Sequence, residues 1–196
     1  MIPKLIFASH NANKTNEIAA LLDGLISVVS LYDIGFIEEI IEHGNTLHEN
    51  AAIKANAVFQ TTSLNCFADD TGLLVDALNG APGVFSARYA GLEKDTLKNN
   101  EKLLHNLINI ENRRARFMTV IQLIWENNSY TFEGVLEGNI GLNPIGNAGF
   151  GYDPIFIPVG SDRSLAQMDL NEKNTISHRA KAFRKMMLFL REKLKN

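Results

Sequence analysis

Apolar residues come in short blocks divided by polar, glycine-bearing segments, and the period of the blocks changes along the chain. Leu5-Ile6-Phe7-Ala8 is a continuous apolar run and predicts a buried first strand. A polar segment, Ser9-His10-Asn11-Ala12-Asn13-Lys14, follows. Ile18, Leu21 and Leu22 then recur at helical spacing, so the chain opens strand, loop, helix. Residues 26–31 predict a second strand. Thr46-Leu47-His48-Glu49 carries the residues of a capping box and predicts a helix through about Thr62. Leu47, Ala51, Ala55, Val58 and Phe59 form its apolar stripe. Lys54 lies off that stripe and is expected in solvent.

In the stretch 66–76 apolar residues run into Asp69 and Asp70, then Thr71 and Gly72, then apolar residues again. This pattern predicts a strand that ends at the carboxylate pair, with Gly72 free to bend the chain. Residues 80–91 hold glycines and a proline and predict a shaped loop. Asp95 is the expected N-cap of a helix burying Leu97, Leu103, Leu104, Leu107 and Ile108. Phe117, Thr119, Ile121, Leu123 and Trp125 alternate along a long strand, and Asn127-Asn128-Ser129 turns it into a hairpin partner over 130–138. A glycine-rich segment, 147–154, leads into Ile155-Phe156-Ile157-Pro158. Ser177 is the expected N-cap of a last helix with Phe183, Met186, Met187, Leu190 and Leu194 inward. No repeat, linker or low-complexity segment divides the chain, so one domain over residues 1–196 of α/β class is expected.

Composition narrows the function classes. A formal net charge of −3 gives no polyanion-binding surface, so a nucleic-acid polymer is not an expected partner. One cysteine, Cys66, excludes an internal disulfide and a cysteine-based zinc site. It lies in an apolar run and is expected as a buried, inert thiol. No apolar run reaches membrane-spanning length and the first one is too short for a signal peptide, so a cytoplasmic protein is expected.

Three segments carry candidate chemistry. The loop 9–14 between strand and helix aims backbone N–H groups at one place, and Lys14 adds a cation, which suits a phosphate; the same residues also suit an Asn-rich turn. It is not a P-loop, because the glycines are missing. Adjacent carboxylates at 69 and 70 suit a hard divalent ion, or equally a turn whose Asp residues cap backbone N–H groups. In a strand neighbouring side chains point to opposite faces, so one of the two faces a site and the other braces a loop. Glu38, Glu39 and Glu42 form an acidic run, by default a solvated face. Phe150 and Tyr152, flanked by glycines, suit a loop closing over a planar ring. His178 and Arg179 fall in a helix's first turn, where cations are unfavourable, and such a placement suits an anionic or electron-rich ligand.

These segments together resemble the inosine/xanthosine triphosphate pyrophosphatase family. The matching residues are Ser9 to Lys14, Ala68 to Leu73, Gly80 to Tyr89, Gly149 to Phe156 and Lys173 to Arg179, in order and over nearly all of the chain. Ser9 stands where the family usually has threonine, and Asn13 where it usually has glycine. The resemblance implies an elongated α/β fold, with a mixed, strongly twisted sheet, flanking helices and a central cleft between two lobes. It implies Mg²⁺-dependent hydrolysis of ITP, dITP or XTP to the monophosphate and diphosphate, a cytoplasmic home and a homodimer. By the same match Asp70 binds Mg²⁺ and is the base for the attacking water, and Glu42 is the second metal-linked carboxylate. Ser9, His10, Asn11, Ala12, Asn13 and Lys14 would hold the phosphates. Thr71 would reach substrate and Phe150 would stack on the purine. Gly151, Tyr152 and Asp153 would shape its pocket, with Lys173, His178 and Arg179 on the opposite wall. Two other functions stand beside this one: a pyrophosphatase for modified pyrimidine nucleotides, and a silent nucleotide-binding module.

Overall fold

A computed structural model of the chain describes residues 3–10, 15, 18, 19, 22 and 25–195. The phosphate-loop candidates Asn11, Ala12, Asn13 and Lys14 lie outside the described residues, as does most of the helix expected after them. The described elements are β1 (Lys4–Phe7), β2 (Ser27–Val29), α1 (Leu47–Thr62), β3 (Cys66–Val75), α2 (Thr96–Asn106), β4 (Arg114–Trp125), β5 (Asn128–Ile140), β6 (Phe156–Pro158), α3 (Leu170–Ile176) and α4 (His178–Lys193). One six-stranded sheet has the order β2-β1-β3-β4-β5-β6. It is mixed: β1 runs parallel to β2 and β3, while β5 and β6 are antiparallel. Among the described residues no helix is long and apolar enough to cross a membrane.

The chain divides into two compact units. The first holds Met1–Asp70, Val120–Phe132 and Phe183–Asn196, and the second Thr71–Thr119 and Glu133–Ala182. The boundary in β3 is the peptide bond between Asp70 and Thr71.

The first unit is built on β1, α1 and the start of β3. Ile6, Ala8, Leu31, Ala55, Val58, Cys66, Ala68 and Ile124 form one buried cluster. The α1 capping box is complete: Thr46 Oγ1 accepts from the Glu49 N–H at 3.1 Å, and the Glu49 carboxylate accepts from the Thr46 N–H at 3.3 Å. Cys66 is buried, and burial pushes its thiol up to about 12, well away from a reactive thiolate.

The second unit packs Leu73, Val75, Leu103, Leu107, Phe117, Tyr152, Ile155 and Phe156 into its own core. Asp95 caps α2 by accepting from the N–H groups of Leu97 and Lys98 at 2.9 and 3.1 Å. The inward face of α2 differs from the expectation. Leu97 is 73% exposed and Ile108 59% exposed, whereas Asn99 and Asn100 are buried with Leu103. The reason is polar: Asn99 accepts from the Ala90 N–H and donates to the Ala87 carbonyl, and Asn100 donates to the Gly151 carbonyl at 3.1 Å. Ile108 lies beyond the last helical residue, Asn106.

β3 also departs from the expectation. It runs unbroken over ten residues, with Asp69, Asp70, Thr71 and Gly72 inside it. It lies between β1 and β4 in the sheet; β1 pairs with it at Cys66 and Phe67, ahead of the polar positions, and β4 is its other neighbour. Its far end is tied into the loop 80–91, where Ser86 Oγ accepts from the Leu73 N–H at 2.9 Å and the Ala81 carbonyl from the Val75 N–H at 3.2 Å.

Candidate active site

In the first unit three side chains meet. Lys54 Nζ stands 3.2 Å from Glu42 Oε2 and 3.3 Å from Asp70 Oδ1. The lysine expected in solvent is 13% exposed. Its position on α1 turns it toward the two carboxylates, and the ion pairs offset what burial of an ammonium costs. The loop carrying Glu42 is held to the same helix: Gly44 donates its N–H to Asn50 Oδ1 at 2.8 Å. A Cβ at Gly44 would fall 2.6 Å from that of Glu49, so the close approach requires glycine.

Charge is unevenly satisfied there. Burial pushes the Asp70 carboxyl above the usual carboxylate range; Lys54 pulls it back and Glu42 pushes it further up. Burial works against the Lys54 ammonium, but Asp70, Glu42 and Asp69 outweigh it and hold the group above its ordinary value. Among the described residues Asp70 Oδ2 is buried and makes no hydrogen bond, although the Asn50 side chain favours the charged carboxylate. Asp69, the preceding residue, is the more buried of the pair. The donor set suits a hard divalent ion: two carboxylates around one cation, with one carboxylate oxygen unused. Among the described residues no three His, Cys, Asp or Glu side chains converge on one point. An ion held by Glu42 and Asp70 would therefore complete its shell with water and substrate oxygens, the habit of Mg²⁺. Elsewhere in the first unit His10 Nε2 lies 3.2 Å from the Phe36 carbonyl, and its ring meets Tyr32 edge-on at 5.2 Å. Ser9 N–H donates to the Phe7 carbonyl at 2.7 Å.

The second unit brings together the remaining candidates in two groups. In one, Asp153 Oδ2 accepts from the Phe150 N–H at 2.8 Å and pairs with Lys173, whose Nζ also lies 4.9 Å from the centre of the Phe150 ring. Gly149 has φ +81°, and a Cβ there would run into the Asp153 carboxylate, so this turn needs glycine. Phe150 itself is 68% exposed. Tyr152 is buried, and its hydroxyl donates to the Ser86 carbonyl at 2.8 Å, while Gly151 presents its carbonyl to Asn100.

In the other group Thr71 Oγ1 lies 2.8 Å from Thr119 Oγ1, which lies 2.7 Å from His178 Nδ1. His178 and Arg179 open α4, and Ser177 Oγ accepts from the Ala180 N–H at 3.1 Å. The His178 ring stacks on Phe117 at 5.0 Å. Sequence reasoning missed Lys54, Thr119 and the two buried asparagines. For Lys54 one signal was available, its place eight residues after the capping Thr46 on the helix that follows the acidic run.

Comparison with known proteins adds three findings. The model of the Ham1 family matches residues 5–189. A dITP/XTP pyrophosphatase of Flavobacterium psychrophilum is 51% identical over 96% of this chain and 99% of its own, and one of Bacillus subtilis is 45% identical over 97% and 98%. Among solved structures, the Ham1 protein of Staphylococcus aureus superposes with a TM-score of 0.93 at 37% identity, covering 97% of this chain and 99% of its own. A nucleoside-triphosphatase / dITP/XTP pyrophosphatase of Mycobacterium abscessus superposes at 0.84 with 41% identity over 93% and 98%.

Proposed function

This chain belongs to the Ham1 family, and from that premise we propose that it hydrolyses the non-standard purine nucleoside triphosphates ITP, dITP and XTP to monophosphate and diphosphate, with Mg²⁺ as cofactor. The observation that carries the reading is Asp70: a part-buried carboxylate paired through Lys54 to Glu42, whose buried Oδ2 has no donor among the described residues. A carboxylate lifted above its usual range is a better proton acceptor for water than an ordinary one. Asp70 takes the proton of the attacking water, and Lys54 keeps Asp70 and Glu42 from repelling each other. Glu42 and Asp70 would hold the metal ion, which supplies charge neutralisation for the triphosphate when bound. Ser9, His10, Asn11, Ala12, Asn13 and Lys14 are assigned to the phosphates.

Recognition of the base is assigned to the second unit. Phe150 offers an exposed ring for stacking, fixed from behind by Asp153 and Lys173. Gly151 and Tyr152 shape the turn. Thr71 reaches substrate, while His178 and Arg179 supply donors to the 6-oxo group of hypoxanthine or xanthine, where adenine presents an amino group. We take both units as one pyrophosphatase domain, acting in the cytoplasm as a homodimer.

The test is release of diphosphate from dITP, XTP, GTP and ATP, each with Mg²⁺ and with excess chelator. A site built on hydrogen bonds to an oxo group rejects the amino analogue by about 10⁴-fold. Turnover of dITP and XTP far above ATP, abolished by chelator, is expected. Equal rates on dITP and ATP would overturn purine selection. Full turnover in chelator would overturn the metal assignment.

A further inference from the structure

Phe150, Gly151 and Tyr152 are each tied to a different place. The Phe150 N–H goes to Asp153 Oδ2 at 2.8 Å, the Gly151 carbonyl accepts from Asn100 Nδ2 at 3.1 Å, and the Tyr152 hydroxyl donates to the Ser86 carbonyl at 2.8 Å. Asn99, the residue before Asn100, holds the Ala87 carbonyl and the Ala90 N–H of the loop that carries Ser86. The turn, the loop 80–91 and α2 thus close a circuit of hydrogen bonds, and Asn100 is its link from helix to turn.

The Asp153 N–H returns to the Phe150 carbonyl at 3.3 Å and closes a four-residue turn. Gly151 has φ +62°, and Tyr152 has φ −90° and ψ 9°. Those signs are of a type II′ turn, with glycine at the first central position. Types II′ and I′ differ in the direction of the central peptide, here Gly151–Tyr152. The carbonyl of that peptide is the one Asn100 holds. Gly151 itself resists no change of angle, so the direction of the peptide is set from outside the turn. A carbonyl only accepts, so the amide of Asn100 must present Nδ2 to it.

Asn100 makes no second bond of this kind. It is 4% exposed, and among the described residues its buried Oδ1 has no hydrogen-bond partner. A buried acceptor without a donor costs stability, and a leucine of similar size would not carry that cost. The side chain therefore serves the turn more than the fold of α2.

We propose that Asn100 is a positioning residue for substrate binding: its Nδ2–H fixes the central peptide of the 150–153 turn and so the direction in which Phe150 offers its ring to the base. The proposal rests on base stacking by Phe150 as assigned above.

The test uses the full chain and steady-state kinetics on dITP. Asn100→Leu fills the space and removes the donor. It is expected to raise KM about tenfold, the worth of one well-placed hydrogen bond. kcat is expected to stay within about twofold, because the stack holds substrate and transition state alike. Tm is expected within about 4 °C of the parent's. In a Phe150→Ala background the same substitution is expected to add less than about twofold to KM, since the ring it positions is gone. Asn100→Ala replaces the leucine variant should that one not fold. An unchanged KM in Phe150→Ala alone removes the stacking reading and this proposal with it. A raised KM there with an unchanged KM in Asn100→Leu overturns the Asn100 assignment alone. Equal rises from Asn100→Leu with and without the Phe150 ring, or a fall in kcat together with Tm, overturn it too, because a general loosening of α2 would act in that way.

Discussion

The two residues joined by the Asp70–Thr71 peptide bond belong to different kinds of polar group. On the Asp70 side charge is unbalanced. Lys54 serves Glu42 and Asp70 at once, and one buried oxygen of Asp70 has no donor among the described residues. On the Thr71 side two hydroxyls and one imidazole share hydrogen bonds in a row. The charged pair beside Phe150 is closed as well, since one Asp153 oxygen takes both Lys173 and the Phe150 N–H. Unsatisfied buried charge costs stability and is tolerable where a ligand completes it. Satisfied neutral groups hold geometry. The first unit is thus equipped to meet changing charge, the second to hold a shape.

Asp70→Asn tests that division most severely. It removes the proton acceptor and a metal ligand, and a loss of roughly 10²–10⁴-fold in kcat is expected, on the scale of general-base catalysis alone. Stability should move the other way. The folded value of Asp70 lies above its ordinary one, so the folded chain binds the proton more tightly than the unfolded chain. Stability therefore falls as pH rises from the ordinary carboxylate range to the raised value. The amide stands in for the protonated form and escapes that loss. In metal-free buffer at pH 7 its Tm should equal or exceed the parent's. A clear fall in Tm, or activity within about twofold of the parent, contradicts the assignment.

Lys54→Met is the opposite case. Lys54 is held above its ordinary value, so its contribution is complete at every pH below the ordinary lysine range and fades only as pH rises through the raised value. At pH 7 the variant loses all of it and leaves Glu42 and Asp70 facing each other, at a cost of about 3 kcal/mol. Since Lys54 also pulls the Asp70 value down, its loss should move the acid limb of kcat/KM to higher pH. Denaturant midpoints and a pH–rate profile read the two effects. An unmoved limb would mean that Lys54 does not sense Asp70 in the working enzyme.

How far the sequence foretold this depends on how local each signal is. The Thr46–Glu49 box, the Asp95 cap and the β4–β5 hairpin are settled within a few residues; the box and the cap form where their residues predict, and the hairpin turns at Glu126 and Asn127, one residue ahead of the expected turn. The Ham1 relationship was legible in the same way, from ordered motifs. The strand runs on through Asp69–Gly72 although polar residues and a glycine resemble an ending, because its place inside the sheet, next to β4, is not written in its own residues. Lys54 was misjudged because helical period tells which face is apolar but not that a distant carboxylate waits beside the other. Its partner Asp70 is 16 positions away. Asn99 and Asn100 displaced Leu97 from the buried face because their partners lie in the loops around 87–90 and 151. For Thr119 the alternation of β4 predicts an inward side chain, but its partners stand 48 and 59 positions away.

Phe150→Ala carries the smallest expected effect and asks whether the second unit's work is recognition alone. The ring is 68% exposed and contacts Lys173 through its face, so the fold should stay within about 0.5 kcal/mol of the parent. Stacking of a base on an aromatic ring is worth about 1–3 kcal/mol. At the lower half of that range KM for dITP rises about tenfold. kcat should change by less than about twofold, because stacking holds substrate and transition state equally and so is uniform binding. Steady-state kinetics on dITP separates the outcomes. An unchanged KM would mean that the base does not meet Phe150. A fall in kcat as large as that of Asp70→Asn would mean that the turn held by Asp153 also orders the reacting groups, and the division between a charge-handling unit and a shape-holding one would fail.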